Sequence, residues 1–133
     1  MGIYKGLKRR GMSPVMAAAF VGNIGQESGF NPAVVNSIGA AGLVQWLDGR
    51  RQRLNSFAAS KGTEWTDVDT QLDFILHELN GSESAAYTRI KAAAATGDLV
   101  RTTDAIAVYY ERMGSHEKML QNRVNYAQQV YGR

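Results

Sequence analysis

A mainly α fold, with five or six helices around one central buried helix and at most a small β-hairpin, is predicted by three features of the sequence. Residues 14–28 carry small and apolar side chains around most of a helical circumference, the pattern of a helix buried on nearly all sides. Leu72, Ile75, Leu76 and Leu79 recur at offsets 0, 3, 4 and 7, which is one face of an α-helix. Residues 33–49 hold Gly39, Gly42 and Gly49 with little helical periodicity, so an irregular segment or short hairpin is expected there.

The elements follow in order. Ser13-Pro14 starts the first long helix, with a hydroxyl to cap free amides and a proline where the missing N–H costs nothing. That helix runs over about 14–28, and Gly29 with Asn31-Pro32 stops it. A helix resumes from Arg50 to about Ser60, with Leu54, Phe57 and Ala58 on one face. The amphipathic helix spans Asp67 to Asn80, and the alanine-rich stretch Glu83 to Thr96 is helical by propensity, ended by Gly97-Asp98. Thr103 to Met113 then carries Ile106, Ala107, Tyr110 and Met113 on one side. After Gly114-Ser115 a last helix with Leu120, Val124, Ala127 and Val130 reaches about Tyr131.

At 133 residues a single domain spanning 1–133 is expected, long enough to bury about two thirds of its unfolded surface. There is no cysteine, so stability has to come from packing rather than disulfides. Met1 to Gly11 lacks the apolar run of a signal peptide, and no stretch suits a membrane span. Synthesis in the cytoplasm and no stable membrane insertion are the expectation. The formal net charge of +3 favours anionic partners without choosing one. Lys5, Lys8, Arg9 and Arg10 with Arg50, Arg51 and Arg53 would suit a phosphate-gripping module, but no aromatics are interleaved, so no nucleic acid is expected. His77 and His116 are too far apart to form a helical ligand pair. Neither a metal nor a cofactor is expected.

Glu27 is the candidate catalytic residue. It ends a helix lined by alanine, phenylalanine and glycine, where desolvation penalises a charged carboxyl and the negative helix end adds to that penalty. A protonated carboxyl beside a leaving oxygen is what glycosidic cleavage requires, often with a second carboxylate nearby. An exposed glutamate in a last helical turn is the alternative.

Glu27-Ser28-Gly29-Phe30-Asn31-Pro32, followed by Gly39-Ala40-Ala41-Gly42-Leu43-Val44-Gln45, resembles signatures of the lysozyme-like superfamily found in soluble lytic transglycosylases and goose-type lysozymes. Gly22-Asn23, Gln45-Trp46 and Arg50 or Arg51, with Gln71 to Ile75, Glu78-Leu79, Tyr110-Glu111-Arg112 and Arg123, are most similar to phage tail-type lysozymes and endolysins. The resemblance covers about residues 11–131 and implies a lysozyme-like fold. It also implies a monomeric muramidase acting on bacterial peptidoglycan, either after release from the host cytoplasm or from the virion.

In that resemblance Glu27 is the proton donor, and Gln45 contacts sugar hydroxyls or holds its own turn. Ser28 orients Glu27 or caps local backbone. Asp48 is one candidate second carboxylate, although Asp48-Gly49 is also an ordinary turn pair. Glu78 is the other, although it can instead form a buried ion pair with Arg50 or Arg51. Trp46 stacks on a sugar or packs, and Tyr110 packs with its hydroxyl near the cleft. A lytic transglycosylase, which needs one carboxyl only, and a non-catalytic helical module are the competing readings.

Overall fold

The computed structural model describes residues 2–113 and 119–132; the expected turn at Gly114-Ser115 and His116 lie outside the described residues. Among the described residues seven α-helices follow one another, where five or six were expected: α1 (Gly2–Arg9), α2 (Pro14–Ser28), α3 (Gly49–Lys61), α4 (Val68–Leu79), α5 (Ser84–Ala95), α6 (Leu99–Ala105) and α7 (Leu120–Val130). Between α6 and α7 the chain continues as a π-helical turn over Ile106–Tyr110. Among the described residues the only strand-like pairings are isolated bridges from Ala41 to Val35 and to Trp46. The fold is mainly α, and a compact loop stands where a hairpin was allowed.

α2 is the centre, with every residue from Val15 to Gly25 buried. Ser13 Oγ accepts from the Met16 amide, and Gly29 at φ 59° closes the other end. α7 lies directly against α2 because Gly22 has no side chain. A Cβ there would stand 2.2 Å from the Arg123 carbonyl oxygen, closer than any side-chain carbon tolerates. Gly25 likewise makes room for the rings of Tyr126 and Phe30.

α4 supplies the predicted face, with Leu72, Ile75 and Leu79 buried and Asp67 capping its start through the Thr70 amide. α1 was not anticipated; Ile3, Tyr4 and Leu7 fix it to the core. α6 starts four residues before the expected Thr103, because Asp98 accepts from the Arg101 amide and opens a new helix. Gly97-Asp98 is therefore both a stop and a start. In the π-turn the Glu111 amide donates to the Ile106 carbonyl at 2.9 Å. The wider turn keeps the successive side chains of Tyr110 and Glu111 both buried.

Hydrogen bonds from α4 tether the loop between α2 and α3. Buried Gln71 on α4 accepts from the Leu43 amide at 2.9 Å and donates to the carbonyls of Pro32 at 2.8 Å and Trp65 at 2.7 Å. Leu43, Val44 and Trp46 are buried beneath it, each contributing about 1.5–3 kcal/mol through removal from water.

Candidate active site

Asn23 and Glu27 lie four residues apart on α2 and so share a face. The close α2–α7 approach brings Arg123, which is almost wholly buried, against both. Arg123 donates from Nη1 to Asn23 Oδ1 at 2.8 Å and from Nη2 to Glu27 Oε2 at 2.6 Å. Asn23 is fixed in turn, its amide nitrogen donating to the carbonyls of Ala19 and Thr103. Glu27 emerges from the interior as expected, with its side chain 13% exposed, but the cation on its carboxylate was not foreseen. Ser28 does not orient it: the hydroxyl donates to the Ile24 carbonyl at 2.9 Å, back along its own helix.

Glu27 opens into a cleft of about 520 Å³ lined also by Gln45, Asp48, Arg50, Arg53 and Glu111. Gln45 serves its own turn, donating from Nε2 to the Gly42 carbonyl at 2.9 Å, and still contributes to the cleft wall. Asp48 does not behave as an ordinary turn aspartate. It sits at φ 52°, ψ −123° before α3 and makes no capping bond, leaving its carboxylate exposed in the cleft. Of the five described non-glycine residues at positive φ, three line this cleft: Gln45, Asp48 and Arg112. Such backbone strain, of order 1–3 kcal/mol per residue, persists where surrounding structure enforces it and gathers at functional sites.

Three candidates are buried together in one hydrogen-bonded cluster. Glu78 is 1% exposed; its Oε1 accepts from Trp46 Nε1 at 2.9 Å, the Tyr110 hydroxyl at 2.6 Å and Arg50 Nη2 at 2.9 Å. Its Oε2 takes Arg50 Nε at 2.8 Å. The ion pair with Arg50 is the one the sequence offered as the alternative to catalysis. Trp46 and Tyr110 are both fully buried, so neither presents a ring to a sugar. Burial, then the charge of Glu78, pushes the Tyr110 phenol well above its ordinary value. Arg50 caps the cluster by donating to the Tyr110 carbonyl at 2.9 Å and lying over its ring. This cluster ties the loop, α3, α4 and the π-turn together under the cleft.

The basic residues weighed for phosphate binding are partly engaged as well. Arg10 bonds Asp73 and Asp69, and Arg51 donates to the Gly39 carbonyl. Trp65 is partly buried against the core, as a packing residue. Among the described residues no three His, Cys, Asp or Glu side chains converge as a metal ligand set.

Glu111 is the cleft residue that sequence reasoning missed. It appeared only within Tyr110-Glu111-Arg112. The π-turn turns it inward, 8% exposed, and its Oε2 is buried with no hydrogen-bond partner among the described residues. Burial pushes this carboxyl well above its ordinary value. The charges of Glu27 and Glu78 push it further, while Arg50 and Arg123 pull it down.

A central buried helix ends at a carboxyl in an open cleft, and the mainly α arrangement is consistent with a lysozyme-like fold. Comparison with known families makes this specific. The model of the phage tail lysozyme family matches residues 1–133, and the chain belongs to that family. Its function is accordingly of the lysozyme-like, peptidoglycan-lytic kind. No curated protein and no solved structure gives a significant match.

Proposed function

We propose that the chain is a muramidase that hydrolyses the bond between N-acetylmuramic acid and N-acetylglucosamine in bacterial peptidoglycan, with Glu27 as the proton donor. The observation that carries this reading is that Glu27, held at the end of α2, and Asp48, whose exposed carboxylate makes no capping bond, line one cleft. Glu27 protonates the leaving oxygen. Asp48 supports the positive charge that develops on the sugar or activates the attacking water. Gln45 offers its side-chain carbonyl to a hydroxyl or acetamido N–H, and Arg53 supplies positive charge for the carboxylates of peptide stems. A carboxyl pair favours hydrolysis over displacement by the muramyl 6-hydroxyl, which needs only one. Membership in a phage tail family favours a virion-associated lysin over a released endolysin, acting as a monomer.

The test is turbidity loss of purified peptidoglycan with wild type and Glu27→Gln. Wild type clears the suspension, and the amide, which keeps the shape without the proton, loses about 10²–10⁴ in rate. Equal rates remove Glu27 from the mechanism. Mass spectrometry of the products gives reducing muramic ends for hydrolysis; anhydromuramic ends replace this reading with the transglycosylase.

A further inference from the structure

The cleft does not end at Arg112. That residue lines it and also a neighbouring concavity of about 340 Å³, shared with Glu83, Arg89 and Tyr109. Arg89 and Tyr109 in turn border a third concavity of about 370 Å³ between α5 and α6, where Arg101 stands. Three depressions therefore run from Glu27 across the π-turn and onto α5, each joined to the next by a side chain common to both. Arg112 is a fixed ridge in this run: its backbone is held at φ 61°, and its guanidinium donates to buried Glu83 at 2.5 Å.

Arg89 and Tyr109 stand between the second and third depressions. The π-turn sends Tyr110 inward and leaves Tyr109 42% exposed. The Arg89 guanidinium lies over the Tyr109 ring, 5.5 Å from its centroid, an attraction that holds the cation in place. Neither Arg89 nor exposed Arg101 is matched by an ion pair with another described residue. Of the acidic side chains in the two outer depressions, Glu83 is matched by Arg112 and Asp104 is half-buried. Positive charge is in excess there, and a guanidinium steadied by a ring with its N–H fork unmatched suits a carboxylate.

We infer that the Arg89–Tyr109 pair is a subsite for the carboxylate-bearing end of a peptidoglycan peptide stem, reached from the cleft over Arg112. This rests on reading the cleft as the peptidoglycan site. Muramic acid carries its stem on the lactyl ether, so the stem leaves the glycan beside the bond to be cut. The interior beneath is packed, with Trp46 and Tyr110 fully buried, so the stem has to leave over a wall. Four extended residues reach about 13 Å, enough to carry a terminal carboxylate past one side chain into the next depression. Arg53 meets carboxylates inside the cleft; Arg89 meets one outside it, and the exposed Tyr109 ring gives apolar contact to the alanyl methyl groups beside it. A glycan without stems is uncharged and has no use for the arginines, which is why the stem rather than a sugar is assigned here.

The test compares soluble, uncross-linked peptidoglycan strands with the same strands stripped of stems by an amidase, chain shortening being followed by chromatography. Wild type is set against Arg89→Ala, Arg89→Glu, Tyr109→Ala and Lys91→Ala. Lys91 is an exposed cation on α5 that lines a separate concavity and controls for general charge. On stem-bearing strands KM rises about three- to fivefold in Arg89→Ala and further in Arg89→Glu, with kcat unchanged, the size expected of one part-exposed charge contact. Tyr109→Ala follows Arg89→Ala, and Lys91→Ala equals wild type. On stripped strands every variant equals wild type. Equal weakening on both substrates assigns the pair to sugar contact and overturns the inference, as does an unchanged KM on both or a matching rise in Lys91→Ala.

Binding is read separately by NMR titration of the labelled full chain with the free tetrapeptide L-alanyl-D-glutamyl-diaminopimelyl-D-alanine. Saturable shifts at Arg89 Nε and the Tyr109 ring, lost in Arg89→Ala, are expected; their absence at millimolar peptide refutes the subsite and leaves the muramidase reading standing. Such shifts in a chain that shortens neither kind of strand sink the muramidase reading instead.

Discussion

Replacing Glu78 by glutamine separates framework from chemistry. The carboxylate takes four hydrogen bonds, from Trp46, the Tyr110 hydroxyl and two nitrogens of Arg50. An amide retains one accepting oxygen and turns a donor toward the Arg50 guanidinium, which stays charged under all ordinary conditions. Removing one partner of a buried ion pair costs about 3–5 kcal/mol, because the other is left buried and uncompensated. Against a total stability of about 5–15 kcal/mol for a domain, this is a large share. It corresponds to a fall in Tm of about 10–20 °C for a chain of this length. Calorimetry at neutral pH measures it. Activity taken well below the variant's melting range, per folded molecule, should fall by less than about tenfold, since Glu78 contacts no substrate. A Tm within about 3 °C of wild type together with a collapse of activity by orders of magnitude would refute the reasoning and return Glu78 to the chemistry.

Three further outcomes are expected. Gly22→Ala gains about 1 kcal/mol of helix propensity but drives a Cβ to 2.2 Å from the Arg123 carbonyl oxygen. The overpacking cost lies at the upper end of about 1–3 kcal/mol, so urea unfolding should show a net loss, and a more stable variant would contradict the α2–α7 packing. Asp48→Gly relieves the positive φ and should raise stability by about 1 kcal/mol while lowering the peptidoglycan-clearing rate; an unchanged rate removes Asp48 from the site. Glu111 has a native pKa above its ordinary 4.5, so the folded state keeps a proton that the unfolded chain releases. The stability this provides is complete below pH 4.5 and is lost at about 1.4 kcal/mol per pH unit as pH rises toward the native value. Denaturation across that range should show wild type losing stability relative to Glu111→Gln, and parallel curves would count against the burial of this carboxyl.

The helices were legible because their signals are local. Ser13-Pro14, Gly29, the 0, 3, 4, 7 spacing on α4 and the cap at Asp67 act within a few residues of themselves. α1 is legible too, in the apolar spacing of Ile3, Tyr4 and Leu7, although its signal spans only about two turns. Glu27 stands out as a candidate through its position at the end of a wrapped helix together with the Glu27 to Pro32 motif that follows it. Arg123 was not paired with it, because the contact spans 96 positions and depends on Gly22 admitting α7. Glu111 was hidden for a different reason. On regular helical geometry Tyr110 and Glu111 point about 100° apart, so one inward residue implies an outward neighbour; the π-turn cancels that inference, and nothing in Ile106 to Tyr110 announces it.

Two buried polar clusters border the cleft, and an apolar replacement of similar volume is often no less stable than a buried ion pair. Their value here lies in geometry. Asn23, Arg123 and Glu27 fix α7 to the end of α2, while Glu78 gathers the loop through Trp46, α3 through Arg50 and the π-turn through Tyr110. Each wall that carries a candidate reacting group is thus anchored by directional bonds rather than by packing alone. Directional anchoring is what holds reacting groups in place without reorganisation at the moment of reaction. The π-turn joins the two halves, since it commits Tyr110 to the framework and the next residue, Glu111, to the cleft. Restoring regular α geometry there would separate these two tasks, so a single irregular turn connects the rigidity of the fold to the lining of the cleft.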